Sequence, residues 1–526
     1  MLALCLLSLA AAPISGSELR AHTRFLASDL LEGRLPASNG DRLAQQYIAA
    51  QFESFGLATS LQSFELVGVE GHPETMTFKT PKTSLALPYR EDFIAVSGHQ
   101  DKVASLENAE LVFVGYGITA PEFKWDDFKG LDVKGKVLVV MNNDPEDDPA
   151  IFGGRARLWY GRWDYKYEHA RKLGAAGVLI IHTTPSAGYP WQVVQTSWAG
   201  EQFDLPTTGG PALQVKGWLS ENAARKVFAL GGKSLDALRT KAQTRKFTPV
   251  PLGITVSTRF ENVVAKKQTA NVLGFLEGTD PKLKSELVVY TAHHDHLGKG
   301  LSDAAGTDVI YNGAVDNASG VAALISIARV LSQQPLKRSV LFAAVAAEEQ
   351  GLLGSQYLVE HPPVPVGRMA ANINIDGLNV WGRTRDVSVI GLGKSSLDVR
   401  ITELAKKQNR TVRADALSDR GFFYRSDQFN FARQGVPAAY FSSGHDFIGR
   451  PEGWGEQQRV KWEAEHYHQP SDEVTPQWDM AGAVEDVQLF LQLGQAVGDA
   501  PAMPTWTKGD EFEGTRLEAL KAVGAP

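Results

Sequence analysis

Apolar positions fall into two rhythms along this chain, and the change between them divides it. Residues 18 to 55 carry the helical rhythm: Leu43, Ala44, Tyr47, Ile48 and Phe52 recur near every 3.6 positions behind Ser38, Asn39 and Gly40, which predicts a helix. From 58 to 105 apolar and polar residues alternate, and Pro73, Pro81 and Pro88 break the runs, so strands and loops are expected. Buried strands are predicted at 109 to 117 (AELVFVGYG) and 136 to 142 (KVLVVMN). A helix holding Glu168, His169, Ala170 and Lys172 leads into GAAGVLIIH at 174 to 182. This β-rich unit is expected to end near 250, where FTPVPLG breaks the pattern.

From 262 the rhythm changes. Short apolar strands at 287 to 292, 340 to 345, 371 to 375, 387 to 391 and 436 to 441 alternate with helices at 318 to 333, 352 to 360, 397 to 408 and 481 to 497. That alternation predicts an α/β domain with a mostly parallel sheet flanked by helices.

At 526 residues the chain is long enough for two or three domains. Hydrophobic content of 43% and charge of 21% are those of a soluble globular protein. The net charge of −7, with no long run of one sign, excludes nucleic acid as the expected partner. The stretch RARLWYGRWDYKYEHARK (155 to 172) interleaves its basic residues with Asp164 and Glu168, and is read as structural. Residues 2 to 12 are apolar and end in small residues, too short to span a bilayer. They are expected to be an export signal cut near Ala12 or Gly16, which makes the mature chain periplasmic or extracellular. No other apolar run is expected to be long enough for a span, so no stable membrane insertion is expected after cleavage. Cys5 lies in the signal, so the mature chain would hold no disulfide and no thiolate ligand.

Any metal must then be held by His, Asp and Glu. In an open α/β sheet, ligands bind beyond the carboxyl ends of the strands. The stretch TAHHDHLG (291 to 298) puts His293 at such an end. Strand 340 to 345 runs into Glu348 and Glu349, strand 371 to 375 ends at Asp376, and NGAVDNASG sets Asp316 at a helix start. Imidazole with carboxylate suits zinc, and less tightly cobalt or manganese. EHYHQPSDE (465 to 473) offers a further nitrogen from His466 or His468. Strand alternation turns His294 away from the side of His293. His296 and His466 are read as structural.

Taken together, the pieces resemble the M28 family of zinc-dependent peptidases, in particular secreted aminopeptidases with an inserted protease-associated domain. FLASDLLEGR at 25 to 34 resembles the family's N-terminal segment, and AHHDHLG, GAVDNASG, AAEEQGLLGS, NIDG and HYHQPSDE occur in family order. The resemblance implies a zinc exopeptidase fold with a smaller β-rich α/β domain inserted. It divides the chain into a signal peptide (1–17), the N-terminal part of the peptidase domain (18–105), the inserted domain (106–250), the catalytic domain (251–500) and a C-terminal tail (501–526). It implies two Zn2+ ions: His293 and Asp376 on one, Glu349 and His468 on the other, and Asp316 bridging them. Glu348 becomes the general base and Asp295 the support of the far nitrogen of His293. Two divalent ions about 3.5–4 Å apart polarise a carbonyl and acidify a water. The base then takes the water's proton and passes it to the leaving amine. GFFYRSDQFNF (421 to 431) resembles the segment lining the substrate pocket. There Tyr424 is the candidate donor to the tetrahedral intermediate, and Arg425 and Asp427 are candidates for orienting a substrate terminus. The implied activity is removal of N-terminal residues from peptide substrates. The alternatives are a carboxypeptidase, a single-zinc cyclase, or a catalytically dead peptide-binding relative. A full set of ligands and a base argues against the last.

Overall fold

Every residue of strands Leu287–His293, Ser339–Val345 and Met369–Asn374 is buried, as strands covered on both faces must be. Leu287–His293 runs parallel to both of the others, and Met369–Asn374 runs parallel to Ala438–Ser443. Antiparallel pairs occur on either side: Val263–Leu276 with Ser339–Val345, and Asp386–Val389 with Ala438–Ser443. Thr411–Ala414 completes this side, parallel to Asp386–Val389. The sheet is therefore mixed and mainly parallel. Side chains alternate between two cores. Val288, Tyr290 and Ala292 join the core built with helices Gly16–Leu26, Asn39–Ser54, Gly320–Gln333 and Ala481–Gly498. Leu287 and Val289 join Leu358, Val359 and Phe431 on the other face.

The computed structural model describes residues 12–524 except 74, 147, 149, 150, 155, 188, 199, 208 and 301–307. Most of the expected export signal thus lies outside the described residues. The chain divides into two units: residues 1–64, 268–416 and 425–526 form the first, and 65–267 with 417–424 form the second. The second carries an eight-stranded mixed sheet, in which Val137–Met141, Gly177–His182 and Val215–Ser220 run parallel. FTPVPLG leads directly into strand Val250–Glu261, which pairs with Val103–Phe113, so the second unit continues past 250.

Three features depart from expectation. The helix predicted over 18 to 55 is two helices, Gly16–Leu26 and Asn39–Ser54, separated by short turns at Asp29–Arg34. Glu32, Gly33 and Arg34 all have positive φ there. A Cβ on Gly33 would lie 2.3 Å from the carbonyl oxygen of Gly298, so only glycine fits. Ser38 then starts the second helix by accepting from the Asp41 amide. Helices Trp454–Glu465 and Glu513–Ala522 were not foreseen, the latter inside the expected tail. Finally, Ala314–Gln333 is long and apolar enough to cross a membrane, contrary to the expectation that no further run would be. It is buried as the central helix of the core, which accounts for its apolar surface.

Asp41 ties the second helix to the sheet. Its buried carboxylate accepts from the Ala37 amide (2.7 Å), Thr269 Oγ1 (2.7 Å), Gln45 Nε2 (2.9 Å) and His294 Nε2 (2.9 Å). Asp41→Ala removes the one carboxylate that all four donors share. It is expected to lower unfolding free energy by about 3–5 kcal/mol in a urea titration. An unchanged midpoint would rule out this role.

Candidate metal centre

Strand register brings the acidic and imidazole residues to one edge. His293 pairs with Val345, and three residues past that strand the chain reaches Glu348. Thr291 pairs with Asn374, and the Ile375 amide donates to the Thr291 carbonyl at 2.9 Å, which brings Asp376 level with His293. Asn317 joins the third segment to these. Its Nδ2 donates to the Ile375 carbonyl (2.9 Å) and its Oδ1 accepts from the amides of Gly377 (2.8 Å) and Gly320 (3.0 Å). Asp316, one residue earlier, is held at the same edge.

The donor atoms fall into two groups, His293–Glu348–Asp376 and His296–Asp316–Glu349. His293 Nε2 lies 3.3 Å from Asp376 Oδ1 and 4.0 Å from Glu348 Oε2. Asp316, a member of the second group, also reaches the first: Oδ1 is 3.2 Å from His293 Nε2, while Oδ2 is 3.2 Å from the imidazole of His468. His468 Nε2 is also 3.2 Å from Glu349 Oε2. The consecutive glutamates therefore serve different groups.

Charge follows this arrangement. Burial lowers the His293 imidazole, but Glu348, Asp316 and Asp376 more than offset it and leave it well above the usual range. Burial likewise lowers His468, and Glu349 and Asp316 bring it up to about 10. Asp316 is raised by burial, yet His293 and His468 hold it well below the usual carboxylate range. Glu349 is raised by burial and brought down to about 2, chiefly by His468. Glu348 goes the other way: burial, with Asp376, Glu349 and Asp427 adding, raises it well above the usual range against the pull of His293. Glu348 is thus the member of the glutamate pair disposed to carry a proton.

Asp295 supports the site differently from expectation. His293 Nδ1 donates to the Asp295 backbone carbonyl at 3.3 Å, and the Asp295 Oδ1 stands farther off at 3.8 Å. The carboxylate accepts instead from the amides of Glu348 (3.1 Å) and Glu349 (3.4 Å). The main chain of Asp295 fixes the imidazole, leaving Nε2 to face Asp316 and Asp376, and its side chain fixes the glutamate turn. His294 is buried against Asp41, as alternation requires. His296, read as structural, has its Nδ1 2.8 Å from Glu349 Oε1 and belongs to the second group. His466 instead contacts Ser471.

The residues expected to meet substrate separate. Tyr424 falls in the segment that groups with the second unit, where its amide donates to Gly421. Arg425 belongs to the first unit, and its charge is felt at Tyr467, whose ring stacks on His468 at 3.9 Å. Asp427 has no exposed surface, which is against its orienting a substrate terminus; burial pushes its carboxyl up to about 7.

Sequence reasoning passed over two supports. Ser426 Oγ donates to Asp376 Oδ2 at 2.6 Å, at the end of a buried ladder running from Asn372 through Thr291 and Asn374. Its position beside Asp427 in the quoted RSDQ was the available signal. Asp472 accepts from the amides of Val315 (3.0 Å) and Asp316 (3.1 Å), so the segment carrying His468 also holds Asp316. No periodicity marks such a residue.

Residues 271–492, which carry all of these donors, match Peptidase family M28. That match covers less than half of the chain. Among curated relatives, the chain is 28% identical over 369 residues to "Aminopeptidase YwaD" of Bacillus subtilis (strain 168), covering 68% of this chain and 62% of the relative. It is 26% identical over 314 residues to "probable leucine aminopeptidase 2" of Aspergillus oryzae, covering 58% of this chain and 56% of the relative. The chain thus spans less than two thirds of either relative's length. Its fold is similar to that of an aminopeptidase from Aneurinibacillus sp. strain AM-1, with a TM-score of 0.53 at 20% identity, over 93% of this chain and 95% of that one.

Proposed function

We propose that the chain is an exported di-zinc aminopeptidase that hydrolyses the N-terminal peptide bond of peptides. The observation that carries the reading is Asp316, whose two oxygens each stand 3.2 Å from a different imidazole, His293 on one side and His468 on the other. The donor set fits zinc: His468 Nε2 and Glu349 Oε1 are buried and make no well-aligned hydrogen bond, facing only other imidazoles and carboxylates of the centre. His293 and Asp376 would hold one ion, Glu349 and His468 the other, and Asp316 both. Two zinc ions, when bound, polarise the scissile carbonyl and acidify a water. Glu348 takes the proton of that water and returns it to the leaving amine. Asp295 holds the glutamate turn that carries this base, and Ser426 holds Asp376. The relatives bearing aminopeptidase in their names support N-terminal cleavage over the carboxypeptidase reading. The eight-stranded second unit is consistent with an inserted protease-associated domain. Export rests on the apolar N-terminal segment.

The test is turnover of peptides with free and with blocked N-termini, each with and without a chelator. Release of the N-terminal residue from free peptides alone, abolished by the chelator, is expected. Cleavage of blocked peptides from the C-terminus would overturn the aminopeptidase reading, and full turnover under chelation would overturn the metal.

A further inference from the structure

The segment FLASDLLEGR carries a residue that none of these steps uses. Arg34 is only 1% exposed. Its guanidinium makes four hydrogen bonds, all to backbone carbonyls: Nε to His294 (2.8 Å), Nη1 to Leu26 (2.5 Å) and Asn312 (2.6 Å), and Nη2 to Gly313 (2.9 Å). Its own carbonyl accepts from the His296 amide at 3.3 Å. These partners lie on the two segments that deliver the donors. His294 directly follows His293, and Asn312 and Gly313 directly precede the turn that presents Asp316. Leu26, at the end of helix Gly16–Leu26, ties both to the core.

The charge is placed as well as the fork. A buried cation is costly unless opposite charge lies near. All four acceptors are neutral, and the negative charges that act on Arg34 are Asp295, Asp316, Asp472 and Glu349. Burial lowers the guanidinium to about 10 against these acids, so it stays charged at neutral pH.

We propose that Arg34 is a positioning residue of the metal centre. Its planar fork sets the spacing between the His293 and Asp316 segments, and its charge offsets the carboxylates converging there. It touches neither substrate nor the donor atoms and acts through the backbone. A lysine would keep the charge but, as a compact ammonium, could not reach carbonyls in these separate directions. The inference rests on the two-metal reading above.

The full chain is compared with Arg34→Lys and Arg34→Met. Zinc stoichiometry and competition against a chromophoric chelator measure affinity. The visible spectrum of the cobalt-loaded protein reports ligand geometry independently of turnover. Arg34→Lys is expected to fold, to bind zinc about 10–100-fold more weakly, and to show an altered cobalt spectrum. Arg34→Met is expected to bind more weakly still. Folded variants with the parent's affinity and spectrum would overturn the proposal. If neither folds, Arg34→Gln carries the test, since it keeps an amide donor in place of the fork but removes the charge and the four-way reach to the carbonyls. Zinc affinity and a cobalt spectrum equal to the parent's in that variant would also overturn it. A parent chain that binds no metal would overturn the functional reading and this inference together. Metal binding by the parent with unchanged variants overturns only the role of Arg34.

Discussion

Glu348→Gln is expected to keep zinc bound at two per chain while turnover falls by about 10²–10⁴-fold. The substitution keeps the shape of the side chain and removes only its ability to take a proton. Its backbone amide still donates to Asp295, so the turn that delivers Glu349 to the other group is undisturbed. Glu348 Oε2 is 4.0 Å from His293 Nε2, whereas Asp316 and Asp376 stand 3.2 and 3.3 Å from the same nitrogen, which leaves this carboxylate less engaged than those two. Metal content by elemental analysis beside single-turnover kinetics separates the two roles. Loss of zinc together with turnover would make Glu348 a ligand, and retained turnover would remove it as the base.

Asp316→Asn is expected to act on the other quantity. The two oxygens of Asp316 face different imidazoles, and an amide can offer an oxygen to only one of them. The substitution also removes a charge that His293 and His468 hold ionised against burial. Zinc affinity should fall by more than the ~10–100-fold that outer partners of a metal site cost, and stoichiometry should drop below two. Turnover should then return at high zinc only in part. Two ions bound at the parent's affinity would rule out the bridge.

Much of this site was legible in the sequence because strand ends and donor chemistry coincide there. His293, Glu348, Glu349 and Asp376 follow apolar runs whose type and direction the pattern gives, and parallel register then brings those ends together. What could not be read depends on contacts far apart in the chain. Asp472 reaches the amides at 315 and 316, and Ser426 reaches Asp376, through folding alone. Asp295 shows the same limit at short range. Its position near His293 suggested a side-chain bond, but in the fold that bond falls to its carbonyl, and the carboxylate meets two amides instead. The broken first helix was hidden because periodicity continues across a break that positive φ at Glu32, Gly33 and Arg34 creates.

The polar ladder from Asn372 through Thr291 and Asn374 to Ser426 runs between strands that are otherwise filled with apolar side chains. A search for thermostable variants that rewards apolar interiors would draw substitutions to these positions first. Each would remove a link that ends on Asp376, so hardening the protein here works against its chemistry. The same four side chains offer a route to a stable scaffold whose reactivity has been turned down without changing any residue of the donor set.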